Sequence, residues 1–169
     1  MSRRHALPAR WPVRWPVRWP QRPPAIWLFT DARMGDALYA AIARLPKGKA
    51  GVVYRWGHEA RIRALCRRRR LVFVDERTPG GLIARAHNRR ELVAARREGA
   101  RLVFLSPVFA TRTHPGARVL GRVRFGLLAR RAGVTLGALG GVNARRFQAL
   151  RQTGATAWGG IDALIDAAR

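Results

Sequence analysis

A stretch rich in hydroxyl and basic side chains lies in residues 102–121, which read LVFLSPVFATRTHPGARVLG. An apolar run typical of a strand is followed there by a loop that contains Thr111, Thr113 and His114. Hydroxyl, imidazole and backbone N–H groups, with the guanidinium of Arg112, can hold phosphate or carboxylate oxygens. The loop therefore predicts an anion-binding site, with a polar surface loop as the alternative interpretation.

Glycine pairs at two later strand ends add to this prediction. Gly140 and Gly141 lead directly into a helix with Asn143 as its predicted N-cap. Gly159 and Gly160 precede Ile161 and Asp162 at the start of the last predicted helix. Backbone N–H groups at such positions are typical phosphate-binding groups, and the loops after the final strands of β/α barrels commonly bind phosphate.

The elements that must position these residues alternate between short apolar runs and helical stretches. The runs are continuously apolar, which is typical of strands buried on both faces of a parallel sheet. Most of them start about 20–30 residues apart, the length of a β/α unit. The predicted strands span residues 26–30, 51–54, 71–75, 82–86, 102–106, 135–139 and 158–161.

Helix ends support the same reading. Asn88 and Glu91 have the spacing of a capping box, and Gly99 follows the last turn of that helix. Asn143 and Gly154 bracket a second helix in the same way. This pattern favours an α/β fold, either a β/α barrel or an open doubly wound sheet.

One connection is too short for such a fold. Only residues 76–81 separate the third and fourth predicted strands, whereas a helical crossover needs at least about 10–12 residues. Either these strands form an antiparallel hairpin, or one β/α unit is missing between residues 75 and 82. Because seven strands are found where a closed barrel has eight, we favour a TIM-type β/α barrel shortened by one unit.

The chain carries 34 Lys and Arg residues against 9 Asp and Glu residues, a formal net charge of +25. Residues 10–21 read RWPVRWPVRWPQ, and the regularly spaced prolines exclude a helix or a central strand. We therefore divide the chain into a disordered basic extension, residues 1–24, and a folded domain, residues 25–169. The domain's arginines are spread over several predicted helix faces, without a recognisable nucleic-acid-binding motif, which argues against a nucleic-acid partner.

Composition excludes a membrane-spanning protein and a protein held together by internal disulfides. Arginines interrupt every apolar run before it reaches the roughly 20 residues that span a membrane. The single cysteine, Cys66, cannot form an internal disulfide, so we expect a reducing cytoplasmic location. Basic neighbours of Cys66 would favour its thiolate, but the sequence assigns it no partner base.

Three segments of the chain resemble, in order and spacing, the carboxyl-terminal half of proteins of the thiamine phosphate synthase family. They read LVFLSPVFATRTHPGA, ALGGVNARRF and GATAWGGIDAL. This family includes the thiazole tautomerase relatives. The resemblance covers roughly residues 25–164 and is closest over residues 102–164.

The resemblance implies a barrel that couples a pyrimidine methyl diphosphate to a thiazole phosphate and releases pyrophosphate with the help of Mg²⁺. It implies that Thr111 and Thr113 contact the thiazole substrate. The catalytic residues that it implies are His114, which stands where the family usually has a lysine for the diphosphate, and Arg55, which lies at the strand end where the family has a Gln-x-Arg-x-x-Lys-like motif. The residues it implies for the thiazole phosphate are Gly140, Gly141, Ile161 and Asp162.

The amino-terminal half departs from the family pattern. Asp75 is the metal ligand that the resemblance implies, and the position of a further family aspartate falls in the missing unit. Weakened coupling activity is therefore expected, and a tautomerase-like or noncatalytic phosphate-binding relative stays open. An arginine-rich binder of nucleic acid or anionic surfaces is the alternative of another class. The shortened barrel closes by itself, closes with a partner as a homo-oligomer, or remains open.

Overall fold

The computed structural model describes residues 22–78, 81–111 and 116–166. Its strands are β1 (Ile26–Phe29), β2 (Ala50–Tyr54), β3 (Val72–Asp75), β4 (Ile83–Ala86), β5 (Leu102–Leu105), β6 (Thr135–Ala138) and β7 (Ala157–Gly160). Its helices are α1 (Ala37–Arg44), α2 (Glu59–Arg69), α3 (Arg89–Arg97), α4 (Gly121–Ala129), α5 (Ala144–Arg151) and α6 (Asp162–Asp166). Over these ranges, no helix has the length and apolar character needed to cross a membrane. Residues 1–21 of the predicted extension lie outside the described residues.

The strands form one parallel sheet in the order β3-β2-β1-β7-β6-β5-β4. Pairing of β1 with β7 joins the first and last strands, as in a β/α barrel. β3 and β4 are the two edges of this sheet and do not pair with each other. The hairpin alternative is therefore wrong, and the prediction of a TIM-type barrel shortened between residues 75 and 82 is confirmed.

The inside of the barrel is filled by alternate strand residues. The Phe104 ring meets the Phe29 ring edge-on, with centroids 5.0 Å apart, and the Trp27 ring at 6.2 Å. A Cβ atom on Gly51 would overlap the Trp27 ring, and one on Gly137 would overlap the Phe104 ring. The glycines thus make room for the aromatic rings, and the interior is a packed core beneath the strand ends.

Helices cover the outer face of the sheet, and the predicted N-caps hold two of them in place. The Asn88 side chain accepts a hydrogen bond from the Glu91 backbone N–H (3.0 Å) at the start of α3. The Asn143 side chain does the same for Arg146 (2.9 Å) at the start of α5. Both caps are confirmed, and the second fixes the path of the chain immediately after β6.

Candidate functional site

A cavity of about 420 Å³ opens at the carboxyl ends of the strands. Phe29 and Leu139, from the packed interior of the barrel, contribute apolar surface to it. Parallel strands deliver their following loops to the same end of a barrel, so residues distant in sequence meet there. Six of the predicted site residues line the cavity: Arg55, Thr111, Gly140, Gly141, Ile161 and Asp162. Thr113 and His114 lie outside the described residues, so their roles stay predictions.

One wall of the cavity is backbone without side chains at Gly140 and Gly141. Both residues have positive φ, +85° and +61°, a region that L side chains rarely adopt. A Cβ atom on Gly141 would overlap the Ala110 carbonyl oxygen. The Phe109 N–H also donates to the Gly140 carbonyl oxygen (3.0 Å), which ties this turn to the loop after β5. Packing against the loop after β5 therefore fixes this turn, and the lack of side chains leaves its backbone accessible to a ligand.

Arginine 146 fixes the same turn from the other side. Its guanidinium donates to the Gly141 carbonyl oxygen and lies over the Phe109 ring, 4.9 Å from the centroid. Because Arg146 donates to that carbonyl oxygen, a guanidinium offsets its partial negative charge. The turn is thereby suited to an anionic ligand.

Another wall of the cavity carries the guanidinium groups of Arg55, which follows β2, and Arg85, which lies in β4. Both are partly exposed, at 31% and 34% of their side chains. The Glu76 carboxylate pairs with Arg55 (Nε to Oε2, 3.1 Å) and with Arg85. Two cations against one anion leave a net positive charge at this wall.

A family model described as thiamine monophosphate synthase matches residues 76–164, just over half of the chain. The chain belongs to this family. The three segments that resemble this family all lie within the matched range. No protein among the curated sequences matches the chain significantly.

Solved structures show the same fold. A thiamine phosphate pyrophosphorylase from Pyrococcus furiosus superposes with a TM-score of 0.67 at 20% identity, covering 83% of this chain and 86% of that one. A protein described as "Native KDPGal structure" superposes with a TM-score of 0.52 at 13% identity, covering 90% of this chain and 97% of that one. At these identities, the likeness concerns the barrel fold alone.

The cavity of this thiamine monophosphate synthase family member also has lining residues that were not predicted as site residues, among them the polar Ser106 and Arg85. Ser106 follows β5, and Arg85 lies two residues after Ile83, a buried side chain of the barrel interior. Side chains two apart on a strand point to the same face, so the Ile83 spacing was an available signal for Arg85. His87, two residues after Arg85, lies beside the Ser106 carbonyl oxygen (Nδ1 to O, 2.7 Å) and does not line the cavity.

Asp75, the predicted metal ligand, does not line the cavity. It is the residue after the buried Val74 of the interior, and strand alternation turns it outward beside Tyr54. Its carboxylate accepts hydrogen bonds from the Arg77 guanidinium (2.8 and 3.0 Å) and the Arg77 backbone N–H (2.9 Å). The side-chain hydrogen bond from Arg77 is the main reason that the pKa of Asp75 is lowered.

Asp75 and Glu76, the adjacent acids at the end of β3, do not fit a magnesium ion. Mg²⁺ requires oxygen ligands in a near-octahedral arrangement. Both oxygens of Asp75 accept from Arg77, and both oxygens of Glu76 pair with arginines. In the described part of the chain, no group of three or more His, Cys, Asp or Glu side chains could hold a metal ion.

Replacing Arg77 with glutamine is expected to raise the pKa of Asp75 towards the ordinary aspartate value of about 3.9. Because the folded-state pKa is lowered, the pair stabilises the fold above the unfolded-state pKa. That contribution is lost as the pH falls through the lowered folded-state pKa, so the variant should show a weaker loss of stability in acid. An NMR titration of the Asp75 carboxyl measures the change directly.

The control is Arg61→Gln, which removes a guanidinium that lies over the Tyr39 ring. It should leave the Asp75 titration as it is in the unmodified chain. An Asp75 pKa that did not move in Arg77→Gln would contradict the assignment of its shift to Arg77.

The expectation that Cys66 favours its thiolate is wrong. Its side chain is buried between α2 and the sheet, and burial raises the pKa of the thiol to about 12. The Arg63 charge acts in the opposite direction and is the smaller influence. Cys66 therefore acts as a small apolar core residue.

Proposed function

We propose that this chain is a transferase that couples hydroxymethylpyrimidine diphosphate to thiazole phosphate and releases pyrophosphate. One observation carries the proposal: a single cavity joins bare backbone at Gly140 and Gly141 to the guanidinium groups of Arg55 and Arg85. These two walls suit two phosphorylated groups held in one open cavity. The volume of about 420 Å³ lies within the usual range for small-molecule sites.

The wall formed by the glycine turn is proposed to hold the thiazole phosphate. Gly140 and Gly141 admit phosphate oxygens close to the backbone, and the cap at Asn143 sets the direction in which α5 leaves the turn. Ile161 and Asp162 border the same region from the end of β7. Thr111 lies in the loop after β5 and lines the cavity, where it is proposed to contact the thiazole ring.

The arginine wall is proposed to receive the diphosphate. In the reaction, the bond between the pyrimidine methylene carbon and the diphosphate oxygen breaks, and the electron pair leaves with the diphosphate. The thiazole nitrogen lone pair then forms a bond to the methylene carbon, giving thiamine phosphate. No proton has to move, so the protein's tasks are to align the two substrates and to neutralise the leaving group.

Thiamine phosphate formation by the purified full chain, supplied with both substrates and Mg²⁺, tests the proposal. Chromatography of the product should show turnover, and Arg55→Gln should lower the rate at least about tenfold by removing a cation from the leaving group. Arg61→Gln removes the same type of group outside the cavity and should keep the full rate. Absence of product would overturn the transferase, and thiazole phosphate binding without product would indicate a phosphate-binding relative instead.

A further inference from the structure

The gap between β3 and β4 is spanned at the cavity end by charged side chains. Glu76 directly follows β3, and its carboxylate pairs with Arg85 of β4 across the gap and with Arg55 beyond β2. We call this group, Arg55, Glu76 and Arg85, the ionic bridge. It joins the two unpaired edges of the sheet at the position where the missing β/α unit would stand.

The two arginines of the ionic bridge reach the cavity, and its glutamate does not. Arg55 and Arg85 line the cavity, whereas Glu76 lines only a second depression outside it, which it shares with Arg85. Each arginine contacts Glu76 through its Nε atom. A guanidinium has five N–H donors, so Glu76 leaves most of the donor capacity of each arginine for a ligand in the cavity.

An anion and a metal ion meet this arrangement differently. A divalent cation would have to separate Glu76 from two arginines and would be repelled by both guanidinium groups. A diphosphate carries more negative charge and more acceptor oxygens than one carboxylate, and guanidinium groups bind phosphate oxygens in paired hydrogen bonds. The ionic bridge therefore favours exchange of Glu76 for a diphosphate.

We propose that Arg55 and Arg85 bind the diphosphate group without a divalent metal ion, with Glu76 as the counter-ion that the ligand displaces. The identity of the ligand rests on the proposed function of the same cavity. Arg85 then supplies from the edge of the gap a positive charge that a metal ion would otherwise supply. Glu76 keeps the two guanidinium groups together while the cavity is empty.

Calorimetric titration of the full chain with inorganic pyrophosphate tests the metal requirement. Binding in EDTA should be at least as tight as binding in excess Mg²⁺, because the arginines need no metal and Mg²⁺ itself competes for pyrophosphate. Binding weaker by about tenfold or more in EDTA would overturn the proposal.

Arginine variants test which cations hold the ligand. Arg85→Gln should weaken pyrophosphate binding in EDTA by about tenfold or more, since it removes a charge-assisted contact. Arg85→Lys keeps the charge without the planar guanidinium, so its pyrophosphate affinity should lie between those of the unmodified chain and Arg85→Gln. This variant preserves the test if Arg85→Gln unfolds. The matched control is Arg63→Gln, whose guanidinium also pairs with a carboxylate, Glu59, but lies outside the cavity. Equal losses in Arg85→Gln and Arg63→Gln would overturn the assignment.

Glutamate variants test the displacement of the counter-ion. Glu76→Gln should tighten pyrophosphate binding about threefold to tenfold, because the ligand no longer competes with a carboxylate. Glu59→Gln is a close control, since Glu59 also pairs with two arginines, Arg63 and Arg77, on α2 and beyond β3. Weaker binding in Glu76→Gln, with an unchanged melting temperature, would show that Glu76 is needed by the ligand and would overturn its role as the displaced group.

These results are independent of turnover. Metal-free binding that depends on Arg85, without thiamine phosphate formation, would keep the anion site and reject the transferase. Thiamine phosphate formation accompanied by metal-dependent pyrophosphate binding would keep the transferase and reject the metal-free site.

Discussion

Thiazole phosphate binding is expected to fall about a hundredfold when Gly141 is replaced with alanine, the loss expected from one or two charge-assisted hydrogen bonds. The Gly141 backbone has φ +61°, and an added Cβ atom would overlap the Ala110 carbonyl oxygen. Backbone atoms on one side or the other must therefore move. Either movement changes the wall that we propose to hold the phosphate. Calorimetric titration with thiazole phosphate measures the loss.

Gly133→Ala separates this effect from general backbone strain. Gly133 also has φ +61°, but its Cβ atom would meet the end of the flexible Arg96 side chain, away from the cavity. Alanine in this conformation costs about 1–2 kcal/mol at either position. Both variants should lose thermal stability, and only Gly141→Ala should lose binding. Unchanged thiazole phosphate affinity in Gly141→Ala would show that this turn does not hold the phosphate.

The second large effect is expected in the interior of the barrel. Phe104→Ala should lower the free energy of unfolding by about 3–5 kcal/mol, as measured by urea denaturation. The ring is fully buried, and it contacts the Phe29 and Trp27 rings across the barrel. Its removal leaves a cavity that the neighbouring rings cannot fill without leaving their own positions.

Gly137 provides an internal check on this prediction. Gly137→Ala alone should be destabilising because its Cβ atom would overlap the Phe104 ring. In the Phe104→Ala background that space is free, so the same change should cost little. The two substitutions should therefore couple by about 0.5–3 kcal/mol in a double-mutant cycle. A loss below about 1 kcal/mol for Phe104→Ala would show that the interior is not closely packed despite the gap between β3 and β4.

Several features of this fold were predictable because they depend on residues near one another in the sequence. Continuous apolar runs indicated the seven strands, and Asn88 and Asn143 indicated where two helices begin. The short connection over residues 76–81 also pointed to a missing unit. Strand burial, helix capping and minimum crossover length are local properties, so the printed sequence is sufficient to reveal them.

The roles of the charged residues were harder to predict. Asp75 and Glu76 are adjacent acids at the end of β3, and only their placement in the sheet shows that Asp75 turns outward to Arg77 while Glu76 spans the gap. A shift of one residue along a strand exchanges its two faces, so neighbouring carboxylates can have different partners. Cys66 shows the same limit, because its burial outweighs the basic residues beside it in sequence.

The sequence by itself determined the alternation of strands and helices, the glycine turn at residues 140–141 and the membership of a thiamine monophosphate synthase family. Only the tertiary structure decided that Arg85 lines the same cavity as Arg55 and that Glu76 links the two across the open edge. The physical reason is that these contacts join elements on opposite sides of the gap. The curvature of the sheet sets the distance across the gap between β3 and β4, and the spacing of residues along the chain does not.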